Sequence, residues 1–199
     1  EATQIYQILV GECMWYGAAD RAAVLLAAPK PVFRPEYLEV IISRSRNGIE
    51  DDDLIGTRYQ AGTSVIIRAL GARAEPVFFD DISADPRVEG LERQNWVERL
   101  GMKFMMAIPI VSGTNWFGLL IVQMRGEHQF DEDEIRFYRS LIDRVTATLQ
   151  TRQLVQMTAD RARRERLTRE ITDRIRASAD VEGIVQTALQ ELREALGAT

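Results

Sequence analysis

The 199-residue chain is poor in the residues that most often do chemistry. Its one cysteine, Cys13, leaves no internal disulfide and no thiolate metal cage. Its one histidine, His128, excludes a multi-histidine metal site and leaves little material for acid–base catalysis. There is no G-x-x-x-x-G-K phosphate loop and no G-x-S-x-G nucleophile turn. No apolar run reaches the roughly 18–20 residues that a membrane-spanning helix needs. The opening EATQIYQILV has neither an initiating Met nor the basic start of a secretion signal, and it reads as a cut from a longer chain. Positive charge is also short, with 25 Lys and Arg against 30 Asp and Glu for a net charge of −5, which argues against binding driven by nucleic-acid phosphates. Neither an enzyme, a nucleic-acid binder nor a membrane segment is expected.

What remains is ordinary globular material, 46% apolar and 28% charged. Residues 3–17 have the spacing of a helix with two apolar stripes, Ile5-Leu9-Cys13 and Tyr6-Val10-Met14. That width exceeds one core contact and leaves surface for a second subunit. Gly17 closes the helix. Ala22–Ala27 and Tyr37–Ser43 have strand patterns, separated by Pro29-Lys30-Pro31, and Arg44–Gly56 reads as an acidic exposed loop around Asn47-Gly48. Short helices are expected at Ala61–Leu70 and Leu91–Leu100, the latter closed by Gly101, with a short strand at Pro76–Phe79 between them.

The plainest element is a hairpin: residues 102–111 and 116–124 flank Ser112-Gly113-Thr114-Asn115. Both strands are apolar on both faces, as central strands covered from two sides are. Helices would cover one face. The loops and short helices of residues 45–101 would cover the other, where a ligand cavity can form.

From Asp131, a helix N-cap followed by Glu132, Asp133 and Glu134, the pattern is helical. Ile135, Tyr138, Ile142, Val145 and Leu149 form a heptad-like seam, and neither Gly nor Pro interrupts residues 130–177. A helix of about 48 residues, roughly 70 Å long, is therefore permitted. Residues 151–180 carry eight Arg and five acids, a local +3, and a stepping error falls between Met157 and Leu167. A partner helix is the simplest way to stabilise so polar a stretch. At Asp180 a new amphipathic helix is expected, with Ile184, Val185, Leu189 and Leu192 on its apolar face. Its end, Gly197-Ala198-Thr199, echoes Gly17-Ala18-Ala19, as in a tandem array.

The order of elements, and the runs PVFFDDISADPR (76–87), LGMKFMMAIPI (100–110), WFGLLIVQM (116–124) and FDEDEIRFYRSLIDRVTATL (130–149), resemble a GAF domain. The resemblance covers residues 1–150. The remainder resembles the linker and first helix that join successive GAF domains in bacterial multi-sensor histidine kinases. It implies an α+β fold of the GAF/PAS, profilin-like kind: a central antiparallel sheet of five or six strands, helices packed on one face, then a long signalling helix. Three parts are implied: a sensor domain at 1–150, a coiled-coil linker at 151–180, and the first helix of a following domain at 181–199. So are a cytoplasmic, homodimeric protein paired through helices 3–17 and 131–178, and a downstream kinase or other output domain in a two-component phosphorelay. Departures from the family disfavour its known cofactors. Cys13 sits in the opening helix rather than at a bilin attachment point. The Asn-Lys pair of cyclic-nucleotide members is replaced by Gln123-Met124, and His128 lies in a turn unsuited to haem. His128-Gln129-Phe130-Asp131 does not resemble a phospho-accepting box.

A small-molecule pocket is expected between residues 78 and 110. Asp81 closes a strand, Arg87 follows Pro86 in the covering loop, and Trp96 lies on a short helix. Phe104, Met106 and Ile108 share one side of a central strand. Together they would supply a charged group, a stacking ring and an apolar floor. The competing reading makes Phe104, Met106 and Ile108 ordinary core and Asp81 a turn cap. Two functions follow: a sensor that relays ligand or partner events into the output helix, or a ligand-free dimerisation scaffold.

Overall fold

The computed structural model describes residues 2–17, 19–28, 35–46, 52–70, 75–113 and 115–195. The chain divides into two units, Glu1–Gln150 and Thr151–Thr199. In the first unit the order is α1 (Ala2–Tyr16), β1 (Arg21–Ala28), β2 (Tyr37–Ser45), a 3-10 turn (Asp52–Leu54), β3 (Arg58–Gln60), α2 (Val65–Leu70) and β4 (Val77–Phe79). Then come α3 (Gly90–Glu92), a π-helical stretch (Arg93–Arg99), β5 (Phe104–Ser112), β6 (Asn115–Met124) and the start of α4 (Glu132–Ala195). Pro29-Lys30-Pro31, Asn47-Gly48 and Thr114 lie outside the described residues.

The six strands form one antiparallel sheet in the order β3-β2-β1-β6-β5-β4. It consists of two three-stranded meanders joined along β1 and β6, with Arg21 opposite Gln123 and Leu26 opposite Gly118. Successive strand side chains point to opposite faces. On one face Val24, Met106, Ile108, Leu120 and Val122 pack against Leu9, Val10 and Cys13 of α1 and Tyr138, Ile142 and Leu149 of α4. On the other, Leu25, Met105, Ala107, Leu119 and Ile121 are roofed by Tyr59, Val65, Ile66, Leu70, Trp96 and Met102. Apart from Gln123 and the turn residues Ser112 and Asn115, β5 and β6 are therefore apolar on both faces, because one face is covered by helices and the other by the 52–102 segment.

Local contacts shift some boundaries. The helix expected from Ala61 begins at Val65, because the Ala61 N–H is committed to the Glu36 carbonyl (2.9 Å) and Ser64 Oγ accepts the Ile67 N–H (3.3 Å) as a cap. The second short helix widens after Glu92: the Leu100 N–H reaches the Asn95 carbonyl, five residues back, at 3.2 Å. Gly101, at φ 63°, then turns the chain so that the Met102 N–H meets the Trp96 carbonyl at 2.8 Å.

Asp131 does start α4: its Oδ1 accepts the Glu134 N–H (2.8 Å), while Glu134 Oε2 accepts the Asp131 N–H (3.3 Å), a reciprocal capping box. In the second unit α4 continues to Ala195 with no new start at Asp180. Gly183 keeps its N–H, costs only about 1 kcal/mol against alanine, and is carried by the cooperativity of a long helix. Its carbonyl accepts the Thr187 hydroxyl at 2.9 Å, the pattern of a helix interior. The apolar side chains of this unit, among them Leu154, Leu167, Ile171 and Ile184, are exposed. Among the described residues no helix is long and apolar enough to cross a membrane.

Candidate functional site

The residues expected to form one pocket are divided by the sheet. Phe104, Met106 and Ile108 do share one side of β5, but it is the side packed on α1 and α4. Trp96 is 1% exposed and lies under the opposite face, above Met105 and Ala107. Because β5 is apolar on both faces, its pattern cannot say which alternate set meets the roof, and a one-residue phase error exchanges the faces. Asp81 is exposed and ties a turn: its Oδ1 accepts the Ser83 N–H (2.8 Å), the Ser83 hydroxyl (2.5 Å) and the Ala84 N–H (3.2 Å). The Ser83 hydroxyl bond, foremost among these, holds the Asp81 carboxyl below the usual aspartate range. Arg87 is exposed and forks onto Asp85 (Nε to Oδ1 2.9 Å, Nη2 to Oδ2 2.5 Å), with its guanidinium 5.7 Å from the Phe79 ring centroid.

The roof has its own organising group. Glu92, 4% exposed, accepts the Ser64 hydroxyl on Oε1 (2.5 Å) and the Val65 N–H on Oε2 (2.9 Å), so a carboxylate from α3 caps the start of α2. One turn on, Asn95 Nδ2 donates to the Tyr59 hydroxyl at 3.1 Å, and the Tyr59 ring leans on Trp96 at 5.3 Å between centroids. Glu92, Asn95 and Trp96 thus clasp β3 and α2 to the widened helix. Around this clasp opens a recess of about 480 Å³ lined by Arg58, Tyr59, Ser64, Glu89, Leu91 and Glu92. A second recess of about 410 Å³ shares Glu89 and adds Val65, Arg68, Ala69 and Arg87. The first recess sets Arg58, itself ion-paired with Glu39, beside the carboxyls of Glu89 and Glu92, and the second sets Arg68 and the Asp85-paired Arg87 beside Glu89, a mixed-charge lining that suits a zwitterionic small molecule. Of the expected site residues, only Arg87 lines either recess, and it lines the second.

A second polar group lies buried against the sheet on the same side. Arg21, 1% exposed, donates from Nε to Ser43 Oγ at 3.0 Å and from Nη1 to Gln123 Oε1, and Gln123 is 0% exposed. The signal for both groups was a polar residue out of step with its surroundings: Gln123 inside WFGLLIVQM, and Glu92 one turn before a tryptophan. Cys13 faces the opposite core, where burial pushes its thiol up to about 12. Among the described residues no three His, Cys, Asp or Glu side chains are grouped to hold a metal.

Burial pushes the Glu92 carboxyl above the usual glutamate range, with the Ser64 and Val65 hydrogen bonds opposing it. The folded chain then holds a proton that the unfolded chain has already released. The associated stabilisation is complete below the ordinary glutamate value and is lost as pH rises through the raised one. Thermal melts should show this as a decline in the window just above the ordinary value. Glu92→Gln, whose Oε1 still accepts the Val65 N–H while its Nε2 donates to Ser64 Oγ in a reversed bond, should flatten that decline. An unchanged pH profile in Glu92→Gln would show that the carboxyl titrates normally.

The model of the GAF domain family matches residues 1–149. No curated protein matches at a significant level. Among solved structures, the GAF domain/HD domain protein of Geobacter sulfurreducens aligns at TM-score 0.64 and 12% identity, over 77% of this chain and 95% of that one. The GAF domain of a two-component sensor histidine kinase from Bacillus halodurans aligns at TM-score 0.61 and 19% identity, over 78% and 97%. The Thermosynechococcus elongatus PixJ GAF domain, in its blue-light-absorbing form, aligns at 0.62 and 17%, over 79% and 89%. At these identities the structures attest the fold alone, while the family model spans three quarters of the sequence. The six-stranded sheet, its two covered faces and the departing helix are those of a GAF domain, and the chain belongs to that family.

Proposed function

We propose that this chain is the sensor and relay module of a bacterial two-component signalling protein, a sensor histidine kinase, acting in the cytoplasm as a homodimer. Members of its family are regulatory domains rather than catalysts, and one solved relative comes from a two-component sensor histidine kinase. The observation that carries the reading is the dual character of α4. Tyr138, Leu141, Ile142 and Leu149 are core residues of the sheet domain, and the same helix continues to Ala195 with its apolar side chains exposed. A change in how the core packs on α4 is therefore a change in the helix that leads to the next domain.

The pairing surface would be α1 with the first turns of α4, extended by the coiled-coil linker at 151–180 and a further domain beginning near 181. A groove of about 360 Å³ lies there, lined by Ile5, Ile8, Leu9 and Glu12 of α1 and Leu141, Arg144, Val145 and Thr148 of α4, and Ile8, Trp15 and Tyr16 stand out of the protomer. The input would be a small zwitterionic ligand in the recess beside Glu92. A second reading, a ligand-free scaffold, has one observation in its favour: Trp96, Met102, Met105 and Leu119 already fill the space under the roof.

Native mass spectrometry of the purified chain, beside its denatured mass, tests both. A dimer with a small excess mass that Arg58→Ala releases is expected for the sensor. A dimer without excess mass favours the scaffold, and a monomer at micromolar concentration overturns the pairing.

A further inference from the structure

The last turn of α1 is held from two sides, and only one of the two holders is satisfied. From the end of β2, Arg46 donates from Nε to the Ala19 carbonyl (3.1 Å) and from Nη2 to the carbonyls of Gly17 (2.8 Å) and Met14 (3.4 Å). The Met14 carbonyl is one that a helix C-terminus leaves without an internal donor, and Gly17 and Ala19 belong to the chain just past it. From α4, Tyr138 reaches the same turn. Its side chain is fully buried, and its hydroxyl has no hydrogen-bond partner among the described residues.

That hydroxyl is close to an acceptor it does not use. A Cβ placed on Gly17 would lie 2.2 Å from Tyr138 Oη and 2.5 Å from the Cys13 carbonyl oxygen, so donor and acceptor flank one point. The Cys13 carbonyl already accepts the Gly17 N–H at 3.2 Å and keeps a second lone pair. A buried hydroxyl without a partner is costly, so a small movement that pairs it has a driving force.

We propose that Arg46 and Tyr138 share the carbonyls at the end of α1 as alternative partners. With Arg46 seated, the hydroxyl is unpaired. When Arg46 withdraws, Tyr138 donates to the Cys13 or Gly17 carbonyl, and α4 moves against α1 by the fraction of a turn that the bond requires. The exchange connects the recess to the output helix. Arg46 directly follows β2, and β2 is tied to the turn before β3, the strand that walls the recess, by Val40 N–H to the Thr57 carbonyl (2.9 Å) and Gly56 N–H to the Val40 carbonyl (2.8 Å). Resting on the relay reading for its purpose, the exchange supplies that reading with a trigger.

A double-mutant cycle on the unliganded chain tests it, so its failure is separable from a failure to find a ligand. Tyr138→Phe alone should raise the thermal midpoint by about 2–4 °C, because an unpaired buried hydroxyl is removed. Arg46→Gln alone should lower it, and should lower it further in the Tyr138→Phe background, where no hydroxyl can take the vacated carbonyls. Hydrogen exchange at residues 14–17 should be roughly tenfold faster in the double variant than in Arg46→Gln. Additive midpoints with equal exchange would overturn the proposal. So would a lower midpoint in Tyr138→Phe, which would mean the hydroxyl is already bonded.

Discussion

Alanine at Gly118 should lower the thermal midpoint of the domain by roughly 10 °C or more, a loss of about 3–5 kcal/mol. The added Cβ would stand 2.2 Å from the Leu25 carbonyl oxygen and 3.2 Å from the Leu26 Cα. Both are main-chain atoms of β1, which is hydrogen-bonded to β2 on one side and to β6 on the other and cannot retreat without breaking a ladder. A flexible side chain could rotate away, but a central strand has no such freedom. Gly126 gives the control, since a Cβ there meets nothing within 4 Å and its φ is not positive. Gly126→Ala should melt within about a degree of the parent. If Gly118→Ala also falls by less than about 2 °C, β1 and β6 do not lie as close as described.

Trp96→Ala should cost about 3–5 kcal/mol, the range for truncating a fully buried aromatic side chain. Its ring is 1% exposed and packs on Tyr59. Its main-chain carbonyl receives Met102, so the closure of the widened helix depends on the same residue. Urea titration with tryptophan fluorescence from Trp15 and Trp116 would read the loss, and Trp96→Phe should recover about half of it. A signalling defect in Trp96→Ala would then report a damaged roof rather than a missing ligand contact. A loss below about 1 kcal/mol would restore Trp96 as a pocket wall that the core does not need.

The fold was legible because its main signals are local. The α4 start is written in Asp131 and Glu134, and the β5–β6 hairpin in two apolar runs either side of a short turn containing Gly113. The site was much less so. Phe104, Met106 and Ile108 were correctly grouped, since alternation is a property of the strand, but the sheet face they meet is decided by residues far along the chain. Glu92 escaped notice because a glutamate in a short helix is ordinarily solvated. What makes it unusual is Ser64, 28 residues earlier, and no periodicity relates the two. The same holds for Arg21 and Gln123, which are 102 residues apart. At Asp180 a local signal misled: an acid followed by glycine resembles a helix start, yet the helix on both sides is long enough to pass through it.

The sheet order also has a kinetic consequence. Each meander, β1-β2-β3 and β4-β5-β6, joins strands that are near neighbours in the chain, whereas the β1–β6 seam closes a loop of about a hundred residues. Ordering so long a loop costs entropy before any contact repays it. The two meanders are therefore free to form early and separately, and the domain becomes one cooperative body only when β1 finds β6. The roof segment is the tether between the two halves during that search. The recess beside Glu92 and the buried Arg21–Gln123 pair would be among the last features to be assembled, and the first to be lost when the molecule opens.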